Sequence, residues 1–256
     1  MLQLKILRDT VLKQQPLQST QLPDNQKQTV KAGTLFNLSA YVPASDHIKV
    51  TLANQTLQGK NTWYAYQRHV AIVDNGKISF PKAVRLNVPY YDQLDNSENP
   101  FGTCNVTSIS MCLAYMGIGR RRPELRFPDE LYLYCEKNGL DRHEPADLKK
   151  LVEAYGCKDA FSTTASFERV KEWLVLGNPA VMHGYFTSYG HIVVAIGYNA
   201  QGFVVNDPYG ELMYTAPGNS YYDTYASGAG LTYSYNMIYN VCCTDNQFWA
   251  HFISRT

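Results

Sequence analysis

The sequence predicts an α+β protein in two parts. A small all-β module over residues 1–80 precedes a larger domain over residues 84–256, in which a helical half comes before an antiparallel β half. Three observations carry this expectation. Residues 1–80 hold period-two, aromatic-rich runs with no helical stripe, residues 104–177 hold runs with apolar positions three and four apart, and β-branched runs separated by turns return from residue 180. A chain of 256 residues with 45% hydrophobic content has ample material for such cores.

In the first part, residues 2–7, 33–41, 47–52 and 62–73 read as strands, separated by Gln-, Pro- and Asn-rich loops such as residues 13–28. Short strands with long polar loops suggest a small β-barrel. Residues 74–83, with Asn75-Gly76 and Pro81, form the expected boundary. A short strand stopped by Pro89 opens the second part. Pro100 and Gly102 then lead into a helix that begins at Cys104, lines up Val106, Ile109, Leu113 and Met116 on one face, and stops at Gly117. Pro128 starts another helix, with Asp129 and Glu130 in its first turn. A third runs from Pro145 to Gly156 around Leu148, Leu151, Val152 and Tyr155. A fourth, capped by Ser166, buries Val170, Trp173 and Leu174 before Gly177.

After Pro179 the pattern changes to strands. Residues 191–198 form a β-branched run, 199–202 a turn, and 203–208 a second strand ended by Pro208, which together read as a hairpin. The tail from Gly218 is rich in Tyr, Gly and Ser and closes on a strand over 249–254, either as a substrate-facing loop or as packing.

The chemistry concentrates at Cys104. A thiol in the first turn of a helix faces unpaired backbone N–H groups and the positive end of the helix dipole, which favour the nucleophilic thiolate. Such a thiol needs a base, and the base needs a third group to orient it. The hairpin supplies both, with His191 at the start of one strand and Asn206 and Asp207 at the end of its partner. Successive strand residues face opposite ways, so one of the two points at His191, and Asp207 is the favoured member. His183 reads as structural or cleft-lining, while His47, His69, His143 and His251 show no legible partner. Arg120, Arg121 and Arg122 form a basic cluster, either a dock for an acidic group or a solvated loop. Six cysteines without CxxC or paired Cys/His spacing predict no metal, and the acidic loop of Asp92, Asp95 and Glu98 lacks EF-hand spacing. No cofactor is expected.

Gln93, the GTCNVTS run leading into the Cys104 helix, GHIVVAIGY and NDPYG together resemble the papain-like cysteine peptidases of the bacteriocin-processing, double-glycine type and their stand-alone relatives. The resemblance spans residues 84–256. It implies a papain-like domain in which Gln93 lines the oxyanion hole, Cys104 attacks, His191 acts as base and then acid, and Asp207 orients His191. Asn105 follows the cysteine where many relatives have glycine, and the stretch between Gln93 and Cys104 is long. The first part resembles a bacterial Src-homology-3-like barrel of the sort attached to cell-wall hydrolases.

Charge narrows the function further. The net charge of +1 excludes an overall nucleic-acid footprint, yet residues 1–80 carry nine Lys and Arg against four Asp, leaving the rest of the chain at −4. A basic module with exposed Trp63, Tyr64 and Tyr66 would suit anionic wall glycans by charge and ring stacking, or it simply supports the catalytic domain. No apolar run reaches membrane-spanning length, and residues 1–10 alternate with charges instead of forming a signal segment. These features predict a cysteine peptidase acting on peptide or peptidoglycan, cytoplasmic at synthesis and released to the wall by lysis or holin-type export. A cytoplasmic processing peptidase, a non-catalytic peptide binder and an acyl transferase to amines are the rival readings.

Overall fold

The computed structural model describes residues 1–187, 189–216 and 219–256, so Gly218 at the start of the tail lies outside the described residues. The chain divides into two units, one formed by Met1–Ala83 with Val175–Gly177, the other by Val84–Leu174 with Asn178–Thr256.

The first unit is all β. Its strands are β1 (Leu2–Ile6), β2 (Thr10–Lys13), β3 (Lys27–Val30), β4 (Leu35–Ala44), β5 (His47–Leu52), β6 (Thr62–Tyr66), β7 (Val70–Asp74) and β8 (Lys77–Phe80). They make one eight-stranded sheet in the order β3-β2-β6-β5-β4-β1-β7-β8. Alternate residues turn inward, so Leu4, Ile6, Leu12, Ile48, Val50, Trp63, Ala65 and Ile72 meet in a single buried cluster. Trp63 corrects the expectation of an exposed ring. It is fully buried, its indole N–H donating to the Lys60 carbonyl at 3.1 Å, because position 63 faces inward on a central strand. Tyr64 and Tyr66 are half-buried. The expected boundary stretch, residues 74–83, holds a strand of this sheet. Asp74 pairs with Lys77 across Asn75 and Gly76, both at positive φ, which is a tight hairpin turn, and β8 belongs to this sheet. Two of the histidines have partners here: His47 sits between Asp46 (2.5 Å) and Lys13 (2.7 Å), and His69 meets Thr10 at 2.9 Å.

The second unit mixes helices with a largely antiparallel sheet. In chain order it contains β9 (Val84–Arg85), α1 (Cys104–Tyr115), α2 (Phe127–Asn138), α3 (Pro145–Ala154), β10 (Cys157–Ser162), α4 (Phe167–Val175), β11 (Ala180–Gly184), β12 (His191–Tyr198), β13 (Gly202–Asn206), β14 (Glu211–Tyr214), β15 (Ser220–Asp223), β16 (Leu231–Ser234), α5 (Tyr235–Cys242) and β17 (Ala250–Arg255). Six strands follow the order β10-β17-β11-β12-β13-β16, β9 adds to β12, and β14 with β15 forms a separate hairpin. The apolar stripe of α1 packs on this sheet, with Val106, Ile109 and Leu113 in one buried core with Ile192, Val194 and Ile196 of β12. The three expected helices after α1 are present. Ser166 accepts from the Arg169 N–H at 3.2 Å, while α2 opens with Pro128 in its first turn. The arginine cluster is largely structural: the backbone N–H groups of Arg121 and Arg122 donate to the buried Glu130 carboxylate at 3.0 and 2.7 Å, and the Arg121 guanidinium lies 4.0 Å from the Tyr155 ring centroid. Among the described residues no helix is long and apolar enough to cross a membrane.

The tail is more ordered than its composition suggests. It holds β15, β16 and α5 before β17, and Ser234 caps α5 by accepting from the Met237 N–H at 3.1 Å.

Candidate active site

Cys104 is the first residue of α1, and the loop before it is tied down from several sides. The buried Asn96 amide donates to Thr103 at 3.0 Å and Thr107 at 2.9 Å, while its carbonyl accepts from Arg126 at 2.9 Å. Asn105, the residue where relatives often carry glycine, donates to the Arg142 carbonyl at 2.8 Å, and Arg142 in turn donates to the Gly102 carbonyl. The nucleophile's backbone is therefore held by a network whose polar groups are mutually satisfied, and Cys104 itself remains partly accessible.

His191 opens β12. Its Nε2 meets Asp207 Oδ1 at 2.7 Å, and the ring shares a cavity wall with Cys104. With Nε2 taken by Asp207, Nδ1 is the nitrogen left for sulfur. Burial works against the imidazolium, but the Asp207 carboxylate bonded to the ring, with Cys104 nearby, outweighs it and pushes His191 up to about 10. The ring is walled by Phe186 and Tyr222, with centroids 5.5 and 5.3 Å away.

Asp207 is completely buried. Besides His191 it accepts from the Tyr209 backbone N–H at 3.0 Å, the Tyr222 hydroxyl at 2.9 Å and the Tyr233 hydroxyl at 2.8 Å. Its own N–H donates to the Gly228 carbonyl at 2.8 Å. A Cβ on Gly228 would sit 1.9 Å from the Asp207 carbonyl oxygen, so this close approach requires glycine. Asn206 points elsewhere, donating towards the carbonyls of Val88 and Pro89 and accepting from the Gly230 N–H at 2.9 Å.

Gln93 occupies a tight turn that Asp92 caps through the Leu94 N–H at 2.8 Å. Its backbone N–H donates to the Pro208 carbonyl at 2.8 Å, which places it against the turn that follows Asp207. Its side-chain Nε2 donates to the Pro100 carbonyl at 2.8 Å, and its buried Oε1 has no partner among the described residues. One amide hydrogen is thus committed to the loop and one is left over.

A cavity of about 420 Å³ opens beside Cys104 and His191, with Asn105, Gly184, His183 and Trp249 among its walls. His183 is not a second base for Cys104. Burial, with the neighbouring His251, pushes it down to about 3, and its ring stacks 5.0 Å from that of His251. His251 is itself bonded to Asp159 at 2.6 Å, and both side chains are fully buried. Among the described residues no group of three or more His, Cys, Asp or Glu is placed to hold a metal ion.

The structure thus gathers Cys104, His191 and Asp207 at the meeting of α1, β12 and the end of β13, with Gln93 one loop away. Sequence reasoning missed Tyr222 and Tyr233. The only signal for them was the tyrosine content of the tail, which does not say which hydroxyl reaches Asp207.

A family model described as Peptidase_C39 like family matches residues 85–240. Among solved structures, a double-glycine-motif protease from an AMS/PCAT transporter, solved with its leader peptide, is 18% identical with a TM-score of 0.43, covering 68% of this chain and 95% of that one. A C39-like peptidase from Bacillus anthracis is 19% identical with a TM-score of 0.39, covering 68% of this chain and 99% of that one. No curated protein matches the chain.

Proposed function

Since this chain belongs to the peptidase C39-like family and is accordingly a cysteine peptidase, we propose that it hydrolyses amide bonds through Cys104, His191 and Asp207, with Gln93 at the oxyanion. The observation that carries this reading is that Cys104 and His191 line one cavity while the His191 ring is bonded at 2.7 Å to the buried Asp207 carboxylate. Cys104, as the thiolate of an ion pair with His191, attacks the substrate carbonyl. The developing oxyanion is held by the Cys104 backbone N–H, free at the helix start, and by the uncommitted amide hydrogen of Gln93. The His191 imidazolium protonates the leaving amine. The same ring then takes a proton from water as it attacks the thioester, which releases the acid and restores the thiolate–imidazolium pair. Gln93→Ala is expected to lower kcat by roughly 10²-fold while changing KM little, since the donor acts on charge that exists only in the transition state. Steady-state kinetics on a fluorogenic peptide, beside a thermal unfolding curve, checks this.

The substrate we propose is the peptide portion of peptidoglycan, in a wall hydrolase or phage-type lysin. The nine basic against four acidic residues of positions 1–80 support it, because wall polymers are anionic. In this reading residues 1–80 form a Src-homology-3-like wall-binding module and residues 84–256 the papain-like peptidase domain. Incubation with purified peptidoglycan is expected to lower turbidity and release free amines without new reducing ends. Reducing ends would mean glycosidic cleavage, and amine release from proteins alone would mean a processing peptidase. Mass spectra that show cross-linked adducts in place of hydrolysed ends would indicate acyl transfer to an amine.

A further inference from the structure

The Asp207 carboxylate is held by more than His191. It is wholly buried, and its two oxygens divide their partners: Oδ1 accepts from His191 and the Tyr209 N–H, while Oδ2 accepts from two phenols, those of Tyr222 and Tyr233. The direction of both phenol bonds is fixed. Tyr233's hydroxyl accepts from the Leu212 backbone N–H at 3.0 Å, which leaves its hydrogen for Asp207. Burial and the negative charge of Asp207 push both phenols well above their ordinary value, so they stay protonated donors. The two come from different elements. Tyr233 is a buried residue of β16 in the main sheet, whereas Tyr222 lies on β15 of the separate β14–β15 hairpin, its ring 5.3 Å from His191 and 5.1 Å from Tyr209.

We propose that Tyr222 and Tyr233 are positioning residues of this peptidase, which hold the Asp207 carboxylate aimed at His191, and that the β14–β15 hairpin completes the active site by delivering Tyr222. The inference rests on the reading of Cys104, His191 and Asp207 given above. Its physical basis is that a carboxylate removed from water keeps its charge only where hydrogen bonds replace hydration. Two phenol donors on the oxygen away from His191 supply that replacement without competing for the ring. Among the described residues, His191 on one side and Tyr90 and Asp92 on the other are further titratable groups near Asp207. Asp92 adds like charge, and Tyr90 is itself pushed up by burial, so neither supplies the missing stabilisation. Removing one phenol hydroxyl leaves the buried Oδ2 one donor short, so the hold on His191 weakens and the site as a whole takes up a proton at higher pH.

The test uses the full chain and its Tyr222→Phe and Tyr233→Phe variants. Iodoacetamide modification of Cys104, located by mass spectrometry, is followed across the acid and neutral range, beside kcat/KM for a fluorogenic peptide and circular dichroism to confirm folding. Each variant is expected to shift the acid limb of both profiles upward by about one pH unit, so activity in the acid range falls roughly tenfold and recovers as pH rises. A merely structural tyrosine would lower activity evenly at every pH. Profiles that coincide with wild type in a folded Tyr222→Phe protein, or an even loss, overturn the assignment while leaving the triad standing. If Cys104 in wild type is not preferentially alkylated, or its alkylation leaves hydrolysis intact, the triad reading falls and this inference with it. Should Tyr233→Phe fail to fold, Tyr222→Phe decides alone, because Tyr222 sits on the half-exposed hairpin.

Discussion

Replacing Cys104 by alanine is expected to abolish hydrolysis, by roughly 10⁴-fold or more in kcat, with the fold retained. The magnitude follows from removal of the atom that forms the covalent intermediate, after which only binding and the oxyanion donors remain to favour the reaction. The fold survives because Cys104 sits at the edge of the core and stays partly accessible, whereas the helix it begins is anchored by the fully buried Val106, Ile109 and Leu113. Unfolding midpoints for the two proteins are expected to agree within a few degrees. Peptide or peptidoglycan hydrolysis retained by the folded alanine protein would remove Cys104 from the mechanism.

Asp207→Asn is the second large effect, and its signature lies in pH. In wild type the imidazolium of His191 persists to about 10, with Asp207 the leading opponent of the burial that would discharge it. Because the value is raised, the stabilisation that this pairing gives the folded chain is complete below the ordinary imidazole value of 6.5 and disappears as pH rises through about 10. An amide keeps a hydrogen-bonding shape but not the charge. The alkaline limb of kcat/KM should therefore move down towards neutrality, and kcat near neutral pH should fall by about 10³-fold. This direction is opposite to the acid-limb shift expected of the tyrosine variants, so the two kinds of change are separable in one set of profiles. An unmoved alkaline limb would show that Asp207 does not govern His191.

What could be read from the chain and what could not divides along a physical line. The Cys104 helix was legible because Pro100, Gly102 and Gly117 punctuate a run with apolar residues at helical spacing, and local rules suffice for that. The hairpin of His191 and Asp207 was legible for the same reason, with one turn bringing two strand ends together. The family match over residues 85–240 and the mixed α+β architecture agree with the family and the fold class read from these runs. Trp63 shows where local pattern fails. An aromatic at an alternating position belongs to one face or the other, and only the pairing of β6 with β5 decides that it turns inward. Tyr222 and Tyr233 fail differently, since both reach Asp207 by tertiary approach, from a hairpin and from an edge strand. The helix α5 could have been found, because Ser234 is a good cap and Met237, Ile238 and Val241 are spaced for one buried face. Its tyrosine-rich surroundings hid it.

The position of β17 bears on how the molecule is made. This strand comes after every other strand in chain order, yet it lies between β10 and β11, paired with residues 157–162 on one side and 180–182 on the other. While the chain is still being synthesised, both neighbours present open edges until residue 255 has left the ribosome. Such edges invite pairing with other nascent chains, and contacts closed over so long a span form slowly. The fully buried His251–Asp159 pair acts as the register mark for that final insertion. A strand slipped by one residue would turn His251 to the opposite face and leave Asp159 buried without its partner. Among the described strands the catalytic sheet is thus closed by the last in chain order, and in one alignment.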